Sequence, residues 1–259
     1  MQGSFINHYK PDDHEFVKRT IHCIETVYNQ VQSKLTDFVD PSKQKIITDL
    51  CNRYPNLQCI YQGAFPNAER KRALLLPEYW SYEAEDFQIR TFFIDLSTNS
   101  SFVKHGDYLG AILGLGIKRE KIGDLVVHNT GAYVVTDFVI ADYIELNLSQ
   151  VNRYPALIHE VSFSELPIRE QEFHYIENTV ASLRLDNIIK MAYQMSRNKA
   201  VEVIQRGYVK YNWNVCEKVD HVIANDDVIS VKGKDKIKII AIGEPNKKGR
   251  IPVKIGRFM

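Results

Sequence analysis

Cysteine is scarce and scattered in these 259 residues: Cys23, Cys51, Cys59 and Cys216 form no CxxC pair and have no histidine at ligand spacing. This excludes the paired-ligand pattern of a structural zinc site and predicts buried or half-buried thiols in a reducing compartment. Long hydrophobic runs are missing too. Segments such as Ala73–Leu76 and Ala111–Leu115 fall well short of the ~18 apolar residues of a membrane helix. The N-terminal residues lack the basic, apolar and small-residue succession of a signal peptide, so a cytoplasmic protein without membrane insertion is expected. The eight histidines are dispersed, and no GxSxG, HExxH or Cys/His arrangement is present. No catalytic residue, metal ligand or cofactor is therefore assigned.

Net charge is also close to absent, at +1, but it is unevenly divided. Residues 179–259 hold 16 Lys+Arg against 8 Asp+Glu, while residues 1–178 hold 17 against 24. A basic module attached to an acidic body points to a polyanionic partner, most simply nucleic acid.

Periodicity predicts an α+β chain. A helix is expected from Pro11, capped by Asp12 or Asp13, with Val17, Ile21, Ile24, Tyr28, Val31 and Leu35 on one stripe. Asp40 and Pro41 suit the cap and first turn of a second helix, which buries Ile46, Ile47, Leu50, Cys51 and Tyr54. The period then changes. Strands are expected at Ala73–Leu76, Phe87–Asp95, Asp124–His128, Ala132–Thr136 and Ala156–Phe163, with helices from about Asp107 to Gly116 and from a cap at Asp137. From Phe87 the order is β-α-β-β-α-β, the split βαβ order of ferredoxin-like and RRM-type folds. Residues 164–181 are polar, broken by Pro167 and rich in acid (Glu165, Glu170, Glu172, Glu177), with part of the segment expected to be extended where Phe173, Tyr175 and Val180 are set among polar residues. The expected division is an N-terminal helical segment 1–72, an RRM-like domain 73–165, a linker 166–181, and a basic C-terminal module 182–259.

In that module, Leu185, Ile188, Ile189 and Ala192 make one helical face, and Ser196 caps a second helix that Gly207 ends. A hairpin follows, with Tyr208–Tyr211 as its first strand and Asn212-Trp213-Asn214 as its turn. Arg184, Arg197, Lys199, Arg206 and Lys210 fall on polar positions near the helix–helix–hairpin junction, where arginines can grip phosphates bidentately. Arg197 ranks first because it opens a helix, and Asp186 is expected to orient helices rather than touch RNA. The segment from Arg184 to Val231 resembles an S4 RNA-binding domain. It carries Arg184-Leu185-Asp186, Ser196-Arg197 with Ala200, Ile204 with Gly207 and Val209, and Asp227 with Ile229. The common V-N-G turn is here Tyr211-Asn212-Trp213, and Asp226 stands where a glycine is usual, which leaves the loop geometry in question.

With the preceding run His105-Gly106-Asp107-Tyr108-Leu109-Gly110 to Asp124, the chain is similar to the YlmH family, in which an RRM-like domain precedes an S4 domain. That resemblance implies binding to rRNA of the large ribosomal subunit and to tRNA. It also implies a part in ribosome-associated quality control on stalled subunits, and a link to cell division. An alternative reading is a cell-division adaptor that binds proteins. An RNA-modifying enzyme would need a catalytic domain that residues 1–163 do not provide, so a non-enzyme is expected.

Lys118, Arg119 and Lys121 are possible secondary RNA contacts, as is the cluster Arg70-Lys71-Arg72. Gly110, Gly114 and Gly116 lack the Gly-Lys-Ser/Thr ending of a P-loop and are expected to let their helix approach a sheet. Phe92 and Tyr133 are conceivable base-stacking residues, but the RNP1 pattern is incomplete and a packing role is expected.

Overall fold

A computed structural model describes residues 6–96, 102–167 and 173–258. The chain divides into two compact units, Met1–Ile168 and Arg169–Met259.

The first unit begins with α1 (His14–Gln30) and α2 (Pro41–Cys51), which pack on a three-stranded antiparallel sheet of order β1-β3-β2. Its strands are β1 (Lys34–Leu35), β2 (Leu57–Gln62) and β3 (Arg72–Pro77). Val17, Ile24, Ile47 and Leu50 meet Ala73 and Leu75 on the helix side, while Leu74 and Leu76 meet Phe87 on the other. Burial on both faces is why residues 73–76 read as an unbroken apolar run. Asp40 caps α2 as expected, accepting from the Lys43 N–H at 3.1 Å. The first helix is shorter than its stripe predicts. Val31 turns left-handed (φ 52°), and Leu35 leaves the helical stripe to pair with Leu74. Asp13 precedes α1 without a side-chain cap.

Next come β4 (Ile89–Asp95), α3 (His105–Gly114), β5 (Ile122–His128), β6 (Gly131–Asp137), α4 (Phe138–Asn147), a small hairpin β7 (Gln150–Val151) and β8 (Tyr154–Pro155), and β9 (Leu157–Glu160). The sheet order β5-β6-β4-β9, antiparallel throughout, is the ferredoxin-like arrangement that the element order predicts. Phe92, Ile94, Ala132 and Val134 pack beneath Tyr108, Ile112, Ala141 and Ile144 of the two helices. On the opposite face Val135 is covered by Phe38, Phe65, Ala68 and Leu166. The α3 glycines do not serve close packing, because a Cβ on Gly110 or Gly114 would meet nothing within 4 Å. Gly123 does: its Cβ would lie 2.9 Å from the Phe38 ring.

A buried charge cluster ties these pieces. Asp137 caps α4 through the Val139 N–H (3.0 Å), faces Arg72 at 3.3 Å and accepts from Lys121 at 2.8 Å. Lys121 also reaches Asp37 at 2.6 Å. Burial alone would raise the Asp137 carboxyl, but these hydrogen bonds and charges outweigh it and hold the group below its ordinary range.

The second unit comprises β10 (Phe173–Val180), α5 (Leu185–Ala192), α6 (Arg197–Gln205), β11 (Val209–Tyr211), β12 (Asn214–Val215), β13 (Val228–Val231), β14 (Ile237–Ile242) and β15 (Ile251–Phe258). They form an antiparallel sheet of order β10-β15-β14-β13-β11-β12. Ile176, Ile237, Ile239, Val253 and Ile255 face the apolar sides of α5 and α6. The segment 166–181, expected as a linker, therefore contains a strand, paired with β15 over all eight of its residues. Half of β10 faces out, which gives the segment its polar composition. Its partner also lies more than seventy residues later, beyond the reach of local reading. Residues 168–172, with Glu170 and Glu172, lie outside the described residues.

Both departures from the S4 pattern keep the backbone that glycine would adopt. Asn212 (φ 46°) and Trp213 (φ 67°) are both left-handed, as a two-residue hairpin turn requires, and Asp226 has φ 66°.

Two stability tests follow from this geometry. Asp137→Asn leaves Arg72 buried without its counter-charge and should lower stability by about 3–5 kcal/mol in urea unfolding; a loss within ~0.5 kcal/mol would remove this cluster as a determinant. Asp226→Gly relieves a left-handed aspartate whose side chain, paired with Lys238, is itself exposed. It should stabilise by about 0.5–1 kcal/mol, and a lower melting temperature would contradict this.

Candidate nucleic-acid interface

The interface starts from one carboxylate. Arg184 takes an extended backbone just before α5, and Asp186 in the first turn is fully enclosed (0% exposed). The turn between helices is made by Gln194 in a left-handed conformation, and Ser196 caps α6 by accepting from the Lys199 N–H at 3.2 Å. Arg197 thus opens α6 beside the start of α5. Asp186 accepts from Arg184 Nε through Oδ1 and from Arg197 Nε through Oδ2, each at 3.1 Å. The Asn187 N–H adds a third bond at 3.1 Å.

Each guanidinium has four further N–H donors beyond its Nε bond. The side chains are 37% and 59% exposed, so the pair can present two oriented forks to phosphates. Asp186 is the positioning group that the sequence reading made it. Burial alone would raise its carboxyl; the hydrogen bonds and charges of Arg184 and Arg197 outweigh it and hold it below the ordinary range.

Lys199 and Arg206 form a second pair on α6 and its C-terminal cap, both bound to Glu202 at 3.0 and 3.1 Å. Lys210 does not join them. Strand alternation sends Val209 into the core and Lys210 outward beside Ser230, on the sheet face turned away from the helices. The predicted five-residue cluster is therefore two paired groups on the helices and one lysine across the sheet.

Family models match residues 12–80 ("YlmH, N-terminal") and 82–165 ("Putative RNA-binding domain in YlmH"). The ribosome-associated protein quality control protein P2 of Bacillus subtilis (strain 168) is 30% identical over 243 residues, 94% of each chain. The chain belongs to the YlmH family. The solved cell division protein ylmH from Streptococcus pneumoniae is similar at 28% identity and TM-score 0.55, over 61% of this chain and 96% of that one.

In this YlmH-family chain most of the secondary candidates turn out to work inside the first unit. Arg119 donates to the carbonyls of Ile122 and Gly123, and burial pulls it down to about 10, still protonated at neutral pH. Lys121 is held by Asp37 and Asp137, Arg70 by the carbonyls of Phe38 and Ile122, and Arg72 by Thr36, Gln88 and Asp137. Desolvation at the seam between sheets explains why these cations are enclosed and paired. Lys118 stays exposed and Lys71 half-buried.

Phe92 is fully buried under the helices and cannot stack a base. Its neighbour Phe93, which the sequence reading passed over, lies on the opposite face, 4.7 Å from the Tyr133 ring, with His128 about 6 Å from both. The same face carries Asp95, Leu157, His159 and Val126 and no Lys or Arg at those positions, so it offers aromatic rings without phosphate partners. Among the described residues no cluster of metal-ligating side chains occurs, and no helix is long and apolar enough to cross a membrane.

Because the folded pKa of Asp186 is depressed, its contribution to stability is complete above the unfolded value of about 3.9 and is lost as pH falls through the lower folded value. Asp186→Asn should therefore lower the melting temperature at neutral pH and flatten its decline below about pH 4. Melting curves for the two proteins that run parallel across the acid range would show that this carboxylate does not hold the arginines.

Proposed function

We propose that this chain is a non-enzymatic RNA-binding factor that acts in the cytoplasm on the ribosome. It holds rRNA of the stalled large subunit, and tRNA, during ribosome-associated quality control. The observation that carries the reading is the pair of arginines, Arg184 and Arg197, oriented on one buried carboxylate at the junction of α5 and α6. Family membership and the name of the Bacillus subtilis relative support the ribosome as the place of action. Mechanistically, two pre-oriented forks lose little conformational entropy on meeting phosphate oxygens. Lys199 and Arg206 add a second electrostatic contact, and the affinity falls with salt as counterions are displaced.

A second reading, a protein-binding adaptor in cell division, draws on the name of the Streptococcus pneumoniae relative and on α4. That helix exposes Val139 (73%), Tyr143 (49%) and Leu146 (83%) at helical spacing.

The clasp dictates how the first reading is tested. Replacing both arginines by alanine would strand a buried carboxylate and unfold the unit, so the variants are Arg197→Ala, which keeps one partner, and Arg197→Lys, which keeps the charge. Arg197→Ala should weaken co-sedimentation with large ribosomal subunits about tenfold and reduce the salt slope by about one, with Arg197→Lys between it and wild type. Unchanged binding at moderate salt, or a pull-down of division proteins that survives both nuclease and Arg197→Ala, would favour the adaptor.

A further inference from the structure

Positive charge in the second unit is not concentrated where the S4 resemblance lies. Residues 184–231 hold seven Lys/Arg against six Asp/Glu, whereas residues 232–259 hold nine against two. The excess resides in β14, β15 and the turns before and between them, outside the S4-like segment. Alternation sorts their side chains. Ile237, Ile239, Val253 and Ile255 point into the core, and Lys238, Lys254, Gly256 and Phe258 point outward. The edge strand β10 adds Phe173 and Tyr175 to that outer face, opposite Phe258 and Gly256.

The rings form a contiguous group. Phe173 lies 5.0 Å from Phe258 and 6.0 Å from Tyr175 between ring centroids. Gly256 makes room for it, since a Cβ there would come within 2.6 Å of the Phe173 ring. Cations sit over the rings, Lys254 Nζ at 4.7 Å from Tyr175 and Lys236 Nζ at 4.8 Å from Phe258. Tyr175 is 52% exposed. Lys254 pairs with Glu177 and Lys238 with Asp226, both at 2.9 Å, but the acids are 68% and 81% exposed, and such pairs exchange readily for a phosphate. Lys210, separated from the helix cluster, lies on this same outer face.

We infer that the outer face of β10, β15 and β14 is a second RNA-contacting surface, distinct from the Arg184–Arg197 pair and selective for unpaired RNA. Bases stack on Tyr175, Phe173 and Phe258, and phosphates meet Lys210, Lys238 and Lys254. Aromatic rings interleaved with lysines on an open sheet are the chemistry of sequence-tolerant single-strand binding. The lysines seated over the rings and beside them favour a polyanion over a protein partner. The inference rests on the RNA-binding reading above but concerns a different face and a different form of RNA.

The test uses the full chain and a fluorescently labelled single-stranded oligouridine of about twelve nucleotides, with large-subunit co-sedimentation measured in parallel. Tyr175→Ala, at an exposed position, should weaken oligouridine binding by about fivefold or more, while Tyr175→Phe retains it. Lys254→Gln should weaken it and reduce its salt dependence, and Arg197→Ala should leave it largely intact. Wild-type protein that does not bind oligouridine, or Tyr175→Ala protein that binds as wild type does, overturns the inference. Loss of a ribosomal protein contact without loss of RNA would overturn it too, by assigning the face to a protein. The co-sedimentation of Arg197→Ala reports separately on the Arg184–Arg197 site.

Discussion

A carboxylate buried against two cations is the constraint on which each unit of this molecule is built. An enclosed charge is tolerated only when its partners and hydrogen bonds replace the lost water, so the backbone around it has little freedom. In the first unit Asp137 joins β6, the start of α4, the Arg72 strand and the Lys121 turn. In the second, Asp186 joins the start of its own helix to that of the next, where Arg197 lies eleven residues on. The same physics gives opposite outcomes for the cations. Arg72 is itself buried and purely structural, whereas Arg184 and Arg197 keep one side in water and are available to a ligand.

That difference separates the cation clusters of the two units better than charge counting does. Clusters such as Arg70-Lys71-Arg72 and Lys118-Arg119-Glu120-Lys121 look like RNA-binding runs when written in a line, yet most of their cations are turned onto carbonyls and carboxylates. The first unit uses arginine as internal mortar between two small sheets. The second uses it as a presented group. Arg72, Arg184 and Arg197 each bond a buried acid, so the bonds alone do not distinguish the roles; the exposure of the remaining guanidinium N–H groups does.

The two candidate RNA surfaces of the second unit also differ in kind. The helix side offers oriented forks on a rigid scaffold, suited to the fixed phosphate spacing of structured RNA. The outer sheet offers rings and lysines on a flat, open face, suited to a strand without fixed geometry. The apolar core between them, from Ile176 to Ile204, keeps the helix side and the sheet side apart. A factor that grips a folded RNA on one side and a single strand on the other would match a site where both are close together.

Much of this was legible along the chain. Local signals suffice where the physics is local: Asp40, Asp137 and Ser196 cap the helices expected of them, and the β-α-β-β-α-β order produced the expected sheet. The Arg-Leu-Asp and Ser-Arg motifs foretold the meeting of Arg184 and Arg197 because their spacing is a property of two adjacent helices. Tertiary structure decided whatever depended on register or on distant partners. Whether Phe92 or Phe93 faces the helices is a one-residue choice that only strand pairing makes. Lys210 was separated from the helix cluster by the same alternation, and residues 173–180 became a strand only because β15 lies beside them. Sequence by itself determined the capped helices, the β-α-β-β-α-β order, the family and the sign of the charge. Folding alone determined which charges were buried as struts and which were left facing solvent, because desolvation is a property of the assembled interior and not of any stretch of chain.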